Sequence, residues 1–148
     1  EAVRGAKAAL LRLAPFSEQV LLAAIETESE DLREHVAHLL ALLESSRAAP
    51  LLAFPAQAAP ADSLVARAYV TLTGQAPTPE SADGLLRRTL ANLEGGVPAF
   101  RAGDSGQVPL WVWDHEAGLP REVQLSSHAA TDVACKSARR TGAYWLLV

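Results

Sequence analysis

The sequence is poor in several features that usually indicate what a protein does. It has one cysteine, Cys135, which excludes an internal disulfide and a zinc site with several cysteine ligands. The 13 basic residues are outnumbered by 17 acidic ones, and the net charge of −4 argues against a nucleic-acid partner. No apolar run approaches the roughly 18 residues of a membrane span. We therefore expect neither a membrane span nor a signal peptide.

Two of these shortages bear on the compartment and on the chain boundaries. A single cysteine fits a reducing compartment, which favours the cytoplasm. Methionine is absent even at position 1, and the chain finishes on the apolar stretch "GAYWLLV" (142–148). Together they predict an excised or processed piece of a longer protein.

Alanine and leucine dominate what is present. Aromatic residues make up only 5% of the chain, whereas apolar residues make up 49%, which is near the average for folded domains. Alanine and leucine favour helices, and alanine also lets helices approach closely. Because 148 residues are enough for one domain with a buried core, we expect a single all-α domain over 1–148.

An internal repeat strengthens the helical prediction. The stretch "VRGAKAALLRL" (3–13) aligns with "LREHVAHLLAL" (32–42) at an offset of 29 residues. A third stretch, "ARAYVTLTG" (66–74), repeats the arginine and the apolar spacing less closely. The matched pairs are Val3 with Leu32, Arg4 with Arg33, Ala8 with Ala37, Leu10 with Leu39, Leu11 with Leu40 and Leu13 with Leu42.

Each repeat is predicted to hold two helices separated by a short break. Asp62 is placed to cap a helix that Gly74 ends, and Pro55 is placed to end another. The resulting repeats cover about 2–27, 30–54 and 62–94. The predicted helix pairs are 2–14 with 16–27, 30–44 with 46–54, and 62–73 with 79–94.

The pattern of an apolar residue, Arg, small apolar residues and Leu, in paired helices about 30 residues apart, resembles HEAT repeats. It is most similar to the short bacterial kind also seen in phycobilisome-lyase-like proteins. The resemblance covers about 2–94, with a break at "AFPAQAAPAD" (53–62). It implies an armadillo-like α-α superhelix, or solenoid, of about three to four hairpins, in which each hairpin covers the apolar stripe of its neighbour.

The repeat pattern stops before an irregular insertion over 95–120. This segment is too rich in glycine and proline for a long helix. Within it, "VPLWVWD" (108–114) alternates and predicts a short strand or an extended loop. Helical sequence resumes at about Pro120 and runs to Arg140, and "AYWLLV" begins a partner helix after Thr141 and Gly142. A further helical pair is therefore expected over 121–148.

The insertion also contains the candidate interaction surface. Its two tryptophans alternate with Val112, so in an extended chain both point to the same side. They either anchor the insertion to the helices or form an exposed aromatic hot spot. The candidate residues are Trp111, Trp113, Asp114, His115 and Glu116.

Two other constellations have the spacing of metal ligands. His35 and His38 share one helix face, but a metal usually needs a third and a fourth donor. His128, Asp132 and Cys135 also share a face, either as a metal or redox site or as a packed cysteine with a polar rim. We favour the packing interpretation for both groups, and we predict no metal and no cofactor.

An acidic run lies across one inter-helix turn. Carboxylates at the start of a helix interact favourably with its macrodipole, which accounts for the last three acids of the run. A surface for a basic ligand is the alternative interpretation. The run consists of Glu26, Glu28, Glu30, Asp31 and Glu34.

The sequence favours a non-enzymatic helical-repeat scaffold that binds another protein or a neighbouring domain of its own chain. No catalytic signature is visible, and helical repeats create extended concave binding surfaces. The alternative is a HEAT-like ligand-binding domain, or a lyase- or glycosylase-type enzyme, that uses the 111–116 insertion. A spacer without a partner is a third interpretation. A concave pocket lined by the candidate interaction surface would favour the enzyme.

Overall fold

The computed structural model describes residues 2–14, 16–94 and 106–146, with side chains over 4–14, 16–92 and 106–137. In these residues the chain is predominantly helical, as predicted, and also contains one two-stranded sheet. The helices are α1 (Ala2–Arg12), α2 (Phe16–Ala24), α3 (Glu30–Leu42), α4 (Ala49–Ala58), α5 (Leu64–Thr73), α6 (Pro79–Glu94) and α7 (Ser127–Leu146). The strands are β1 (Gln107–Asp114) and β2 (Leu119–Ser126).

Local polar signals fix both ends of α5. The cap is Ser63 rather than the predicted Asp62, because the Ser63 hydroxyl accepts a hydrogen bond from the Ala66 backbone N–H at 3.1 Å. Gly74 ends the helix as predicted, in the left-handed conformation with φ of 69°. The sequence therefore located this helix to within one residue.

The predicted end of α4 at Pro55 is wrong, because the helix continues to Ala58. A proline removes one backbone donor from the helix but leaves the following donors available. The Ala59 N–H still donates to the Pro55 carbonyl at 3.1 Å. Burial of Phe54 and Ala56, on either side of the proline, stabilises the extra turn.

Most of the helices pack into one apolar core. The helix α3 contacts both α1 and α5, and α4 contacts α6. Among chain neighbours in the described residues, α2 packs against α3 and α4 against α5, whereas the three predicted pairs make little contact, namely α1 with α2, α3 with α4 and α5 with α6. The largest fully buried side chains are Ile25, Leu40, Leu52 and Tyr69.

The arginine of the repeat connects two helices in only one of its copies. Half-buried Arg33 donates from Nε to the Ile25 carbonyl at 3.3 Å and from a second nitrogen to the Thr27 carbonyl. These bonds satisfy carbonyl groups at the end of α2, where no further helical donor follows. Arg4, at the matching position in α1, is exposed. The repeat is thus similar in sequence but not in the contact its arginine makes.

A β-hairpin replaces part of the predicted helical pair over 121–148. The strands β1 and β2 are antiparallel, with Trp111 opposite Glu122 and Trp113 opposite Pro120. The strand alternative for 108–114 is confirmed, whereas the helix expected from about Pro120 begins only at Ser127. The reason is a two-residue period in β2, since half-buried Val123 and Leu125 alternate with exposed polar residues. The all-α prediction was therefore too narrow.

The last helix also differs from the prediction. It continues from Ser127 to Leu146 through Thr141 and Gly142, where a break was expected. One glycine inside a helix costs only about 1 kcal/mol relative to alanine, so it does not by itself end the helix. The segment 95–105 of the predicted insertion lies outside the described residues. Among the described helices, none has both the length and the apolar character needed to cross a membrane.

Candidate functional site

A cleft of about 260 Å³ lies between the β-hairpin and the helices. One wall is β1, and the other walls come from α2, α4, α6, α7 and the segments that flank α2 and α4. We call this space the hairpin cleft. Its apolar lining includes Leu22, Leu51, Leu110, Trp111, Val112 and Val133, and its polar lining includes Glu26, Arg47, Thr89 and Ser137.

The cleft exists because the hairpin packs on the helices at two places. The strand β1 contacts α2, and α7 contacts both strands as well as α4 and α6. Trp113 packs against the apolar core, and Val108 near the other end of β1 is buried. The hairpin is therefore held at both ends of β1, and the apolar residues between them line the cleft.

Glu26 is the most deeply placed charged group in the cleft. Its side chain is only 13% exposed, and one carboxylate oxygen accepts a hydrogen bond from the Ser137 hydroxyl. The other oxygen lies 3.7 Å from His115 Nε2, in the turn of the hairpin. Glu26 thus connects the end of α2, the hairpin turn and α7.

Among the described residues, Arg47 is the one arginine or lysine in the lining of the cleft, and it is exposed. Within the described part of the chain, its guanidinium makes neither an ion pair nor a side-chain hydrogen bond. The same side chain lines a second cavity of about 320 Å³, which also contains Glu18 and Glu44. Glu18 accepts a hydrogen bond from the Ser45 hydroxyl at 2.6 Å. Arg47 is therefore a positive charge between an apolar cleft and an acidic cavity.

The candidate interaction surface does not form one site. Of its five residues, Trp111 alone lines the hairpin cleft. Trp113 packs against the core, so the interpretation of a tryptophan anchor is confirmed for this residue. Asp114 and Glu116 lie in or beside the hairpin turn, where Glu116 is exposed, and His115 lies near Glu26. The insertion contributes one wall of the cleft rather than a cluster of polar groups.

Asp114 organises the hairpin turn. Its Oδ1 accepts hydrogen bonds from the backbone N–H groups of Ala117 and Glu116, each at 3.0 Å. Oδ2 lies 3.6 Å from Arg121 Nε, and Gly118 occupies the left-handed region with φ of 65°. The hydrogen bond from Ala117, supported by that from Glu116 and by the charge of Arg121, lowers the pKa of Asp114, although partial burial opposes this.

The lowered pKa of Asp114 predicts that acid weakens the hairpin. A carboxylate whose folded pKa is depressed stabilises the fold above its unfolded pKa of about 3.9. That contribution is lost as the pH falls through the folded pKa. Asp114→Asn is expected to lower the urea midpoint at about pH 7, with a difference from wild type that shrinks as the pH falls below about 4.

Glu116→Gln is the matched control, because it changes an exposed carboxylate of the same turn. We expect its urea midpoint to follow wild type more closely than that of Asp114→Asn at every pH. A difference between Asp114→Asn and wild type that stays constant on acidification would contradict this role of the charge.

The histidine pair of α3 is not assembled with other metal donors. His35 is exposed, and its Nδ1 donates to the Asp31 carbonyl at 2.6 Å. Glu34, between the two histidines, accepts a hydrogen bond from the Leu64 backbone N–H at 2.6 Å and so caps α5. Within the described residues, no group of three or more His, Cys, Asp or Glu is placed to hold a metal ion. Glu34 therefore stabilises the start of α5, a role that the sequence of its own helix α3 does not indicate.

The second constellation is also dispersed. Asp132 lies 2.9 Å from Lys136 Nζ, one turn further along α7. Cys135 is buried, as the packing interpretation expected, whereas His128 is exposed. Shared helix spacing therefore did not bring these three side chains to one site.

The sequence indicated the hairpin cleft only in part. The alternation of β1 pointed to Trp111, and the acidic run contained Glu26 without distinguishing it from its neighbours. The sequence did not indicate Arg47 or Ser137. Arg47 is distant in sequence from the hairpin turn, and Ser137 is distant in sequence from Glu26. A contact such as Glu26 with Ser137, 111 residues apart, leaves no periodic signal.

Comparison of the chain with protein-family models, with curated proteins and with solved structures gave no match. No relative therefore indicates what the hairpin cleft binds. The shape, lining and charge of the cleft are the basis for the functional inference.

Proposed function

We propose that the chain is a non-enzymatic helical-repeat scaffold that binds a protein partner, or a neighbouring domain of its own chain, at the hairpin cleft. The observation that supports this proposal is an open, largely apolar cleft of about 260 Å³ with Trp111 in its wall. Protein interfaces derive much of their binding energy from a few apolar or aromatic side chains in such pockets. The cleft is suited to an apolar anchor side chain of the partner.

We further infer that α1–α6 form a HEAT-like solenoid. In such a stack, every second helix packs against the equivalent helix of the next repeat. Contacts of α3 with α1 and α5, and of α4 with α6, support this arrangement. The hairpin and α7 then cover one face of the helical stack and complete the cleft.

The alternative functions have less support in the geometry. A ligand-binding or lyase- or glycosylase-type enzyme at 111–116 needs several polar groups of that segment in one pocket. In the described chain, Trp111 and Val112 are the members of that segment that line the cleft, and neither is a charged group. Glu26, which also lines it, is engaged by Ser137 and lies beside His115. An apolar anchor site therefore accounts for more of the lining than a reactive site does.

Selection from a random peptide library tests the proposed function. The wild-type chain is expected to enrich peptides that share a large apolar residue. Ala134→Phe places a larger side chain in the cleft from α7, and it should abolish that enrichment because the anchor no longer fits. Ala58→Phe, at an exposed position of α4, is the matched control and should enrich the same peptides as wild type.

The outcomes of the selection are distinct. Enrichment by wild type and Ala58→Phe, but not by Ala134→Phe, supports binding in the cleft. Equal enrichment by all three chains places the binding surface elsewhere and contradicts the proposal. Circular dichroism spectra of the three chains establish that each variant has kept its helices.

A further inference from the structure

We propose that the partner segment ends in the hairpin cleft, with its C-terminal residue bound there. The apolar side chain of that residue occupies the cleft, and its α-carboxylate pairs with Arg47. This inference rests on the proposed function, because it presupposes that the cleft binds a protein segment. It adds which part of the partner is recognised and by which group.

The charge of the cleft rim is the first observation behind this assignment. Arg47 lines the cleft and is exposed, and the described residues offer its guanidinium neither an ion pair nor a side-chain hydrogen bond. A guanidinium presents planar donors that match the two oxygens of a carboxylate. The rim therefore complements an anion, because no carboxylate of the described residues lies within ion-pair distance of this guanidinium.

The size of the cleft is the second observation. Pockets for drug-sized molecules measure about 300–1,000 Å³, and the hairpin cleft, at about 260 Å³, lies just below that range. It is thus large enough for one apolar residue of a partner. An internal residue offers either an apolar side chain or a carboxylate, whereas an apolar residue at a C-terminus offers both. Capture of a terminal carboxylate is a known mode of peptide recognition.

The remaining charges set the orientation of the bound residue. Glu26 also lines the cleft, and its carboxylate repels a second carboxylate placed beside it. The α-carboxylate therefore lies at Arg47, and the apolar side chain lies against Leu22, Leu51 and Val133. Beyond Arg47 is the cavity that contains Glu18 and Glu44, which does not favour a further anionic group. A partner segment whose last residue lies beside Arg47 pairs its carboxylate with the guanidinium without entering this cavity.

Fluorescence anisotropy with short labelled peptides tests the inference. The probes are peptides labelled at the N-terminus with the sequence Gly-Ser-Gly-Ser followed by Leu or Phe, each as the free acid and as the C-terminal amide. We expect at least one free acid to bind about ten- to a hundredfold more tightly than its amide, as for a hydrogen bond to a charged group. Arg47→Gln should reduce the affinity for the acid to that for the amide and leave the amide unchanged.

Arg67→Gln is the matched control, because Arg67 is an exposed arginine of α5 outside the cleft lining. It should bind both probes as wild type does. Ala134→Phe should weaken the acid and the amide together, because it obstructs the apolar part of the site.

Three results would overturn the inference. Equal affinity for acid and amide, with both reduced by Ala134→Phe, would refute recognition of a C-terminus and leave the proposed function in place. The same conclusion follows if an internal Asp or Glu beside the apolar residue restores binding to the amide. Absence of binding by every probe, together with no enrichment in the library selection, would refute both the inference and the proposed function.

Discussion

Replacing Leu40 with alanine is expected to lower the free energy of unfolding by about 2–5 kcal/mol. Leu40 is 0% exposed, and its side chain belongs to a cluster to which α2, α3, α4, α5 and α6 all contribute. The loss has two parts, the transfer free energy of the removed atoms and the cavity that surrounding helices do not fill. Urea denaturation followed by helical circular dichroism measures the change.

Leu42→Ala provides a close control for this prediction. Leu42 lies in the same helix, but its side chain is 51% exposed, so the same atoms are removed from a solvated position. We expect a change within about 0.5 kcal/mol, as for most surface substitutions. Similar losses for Leu40→Ala and Leu42→Ala would contradict the packing of α3 described above. A total stability of about 5–15 kcal/mol makes a loss at Leu40 easy to resolve.

Trp113→Ala is expected to have the second largest effect, a loss of about 2–3 kcal/mol of unfolding free energy. This is less than the 3–5 kcal/mol typical of a fully buried aromatic residue because Trp113 is half-buried. Trp113 packs against the core, so its removal weakens the contact between β1 and the helices. Hydrogen exchange should report faster exchange at the amides of β1 and β2 than in the wild-type chain.

Trp111→Ala separates stability from binding, because the two tryptophans lie on the same strand two residues apart. Trp111 lines an open cleft and is not among the residues that pack against the core, so we expect its loss to leave the core intact. We expect a smaller loss of stability than for Trp113→Ala and a larger loss of peptide binding. If Trp111→Ala destabilised the hairpin more than Trp113→Ala, the assignment of Trp113 as its anchor would be wrong.

The helices were the part of the fold most accessible from the sequence. Segments such as α3 and α5 are long enough for the helical period to be recognised, and Gly74 marks an end by its own conformational preference. The error at Asp62 was small because Ser63 is an equally good cap one position later. These features depend on residues that are neighbours in the chain, so they can be predicted from the sequence.

The hairpin was harder to predict because its second strand contains residues that are also frequent in helices. Arg121, Glu122 and Gln124 are favourable in a helix, and only Val123 and Leu125 reveal the two-residue period. Pairing with β1 supplies the hydrogen bonds that settle the conformation of β2, and this information is not local. The continuation of α7 through Gly142 is a similar case, in which one unfavourable residue did not end the helix.

The candidate site was the least predictable part because its residues share no segment. Glu26 follows α2, Arg47 precedes α4 and Ser137 lies in α7. The constellations with recognisable spacing belong elsewhere, since Glu34 caps α5 and Asp132 pairs with Lys136. Regular spacing in a helix shows which residues share one of its faces. It does not show which helices and strands pack together to form the cleft.

The bond between Glu26 and Ser137 also has a consequence for the order in which the chain folds. Its partners are 111 residues apart, so it closes one of the longest loops in the chain and forms only after that loop entropy has been overcome. During synthesis the helices α2–α6 leave the ribosome before α7, and their shared core is available to fold first. The hairpin cleft is then completed last, so the proposed binding of a partner would require that synthesis has passed Ser137.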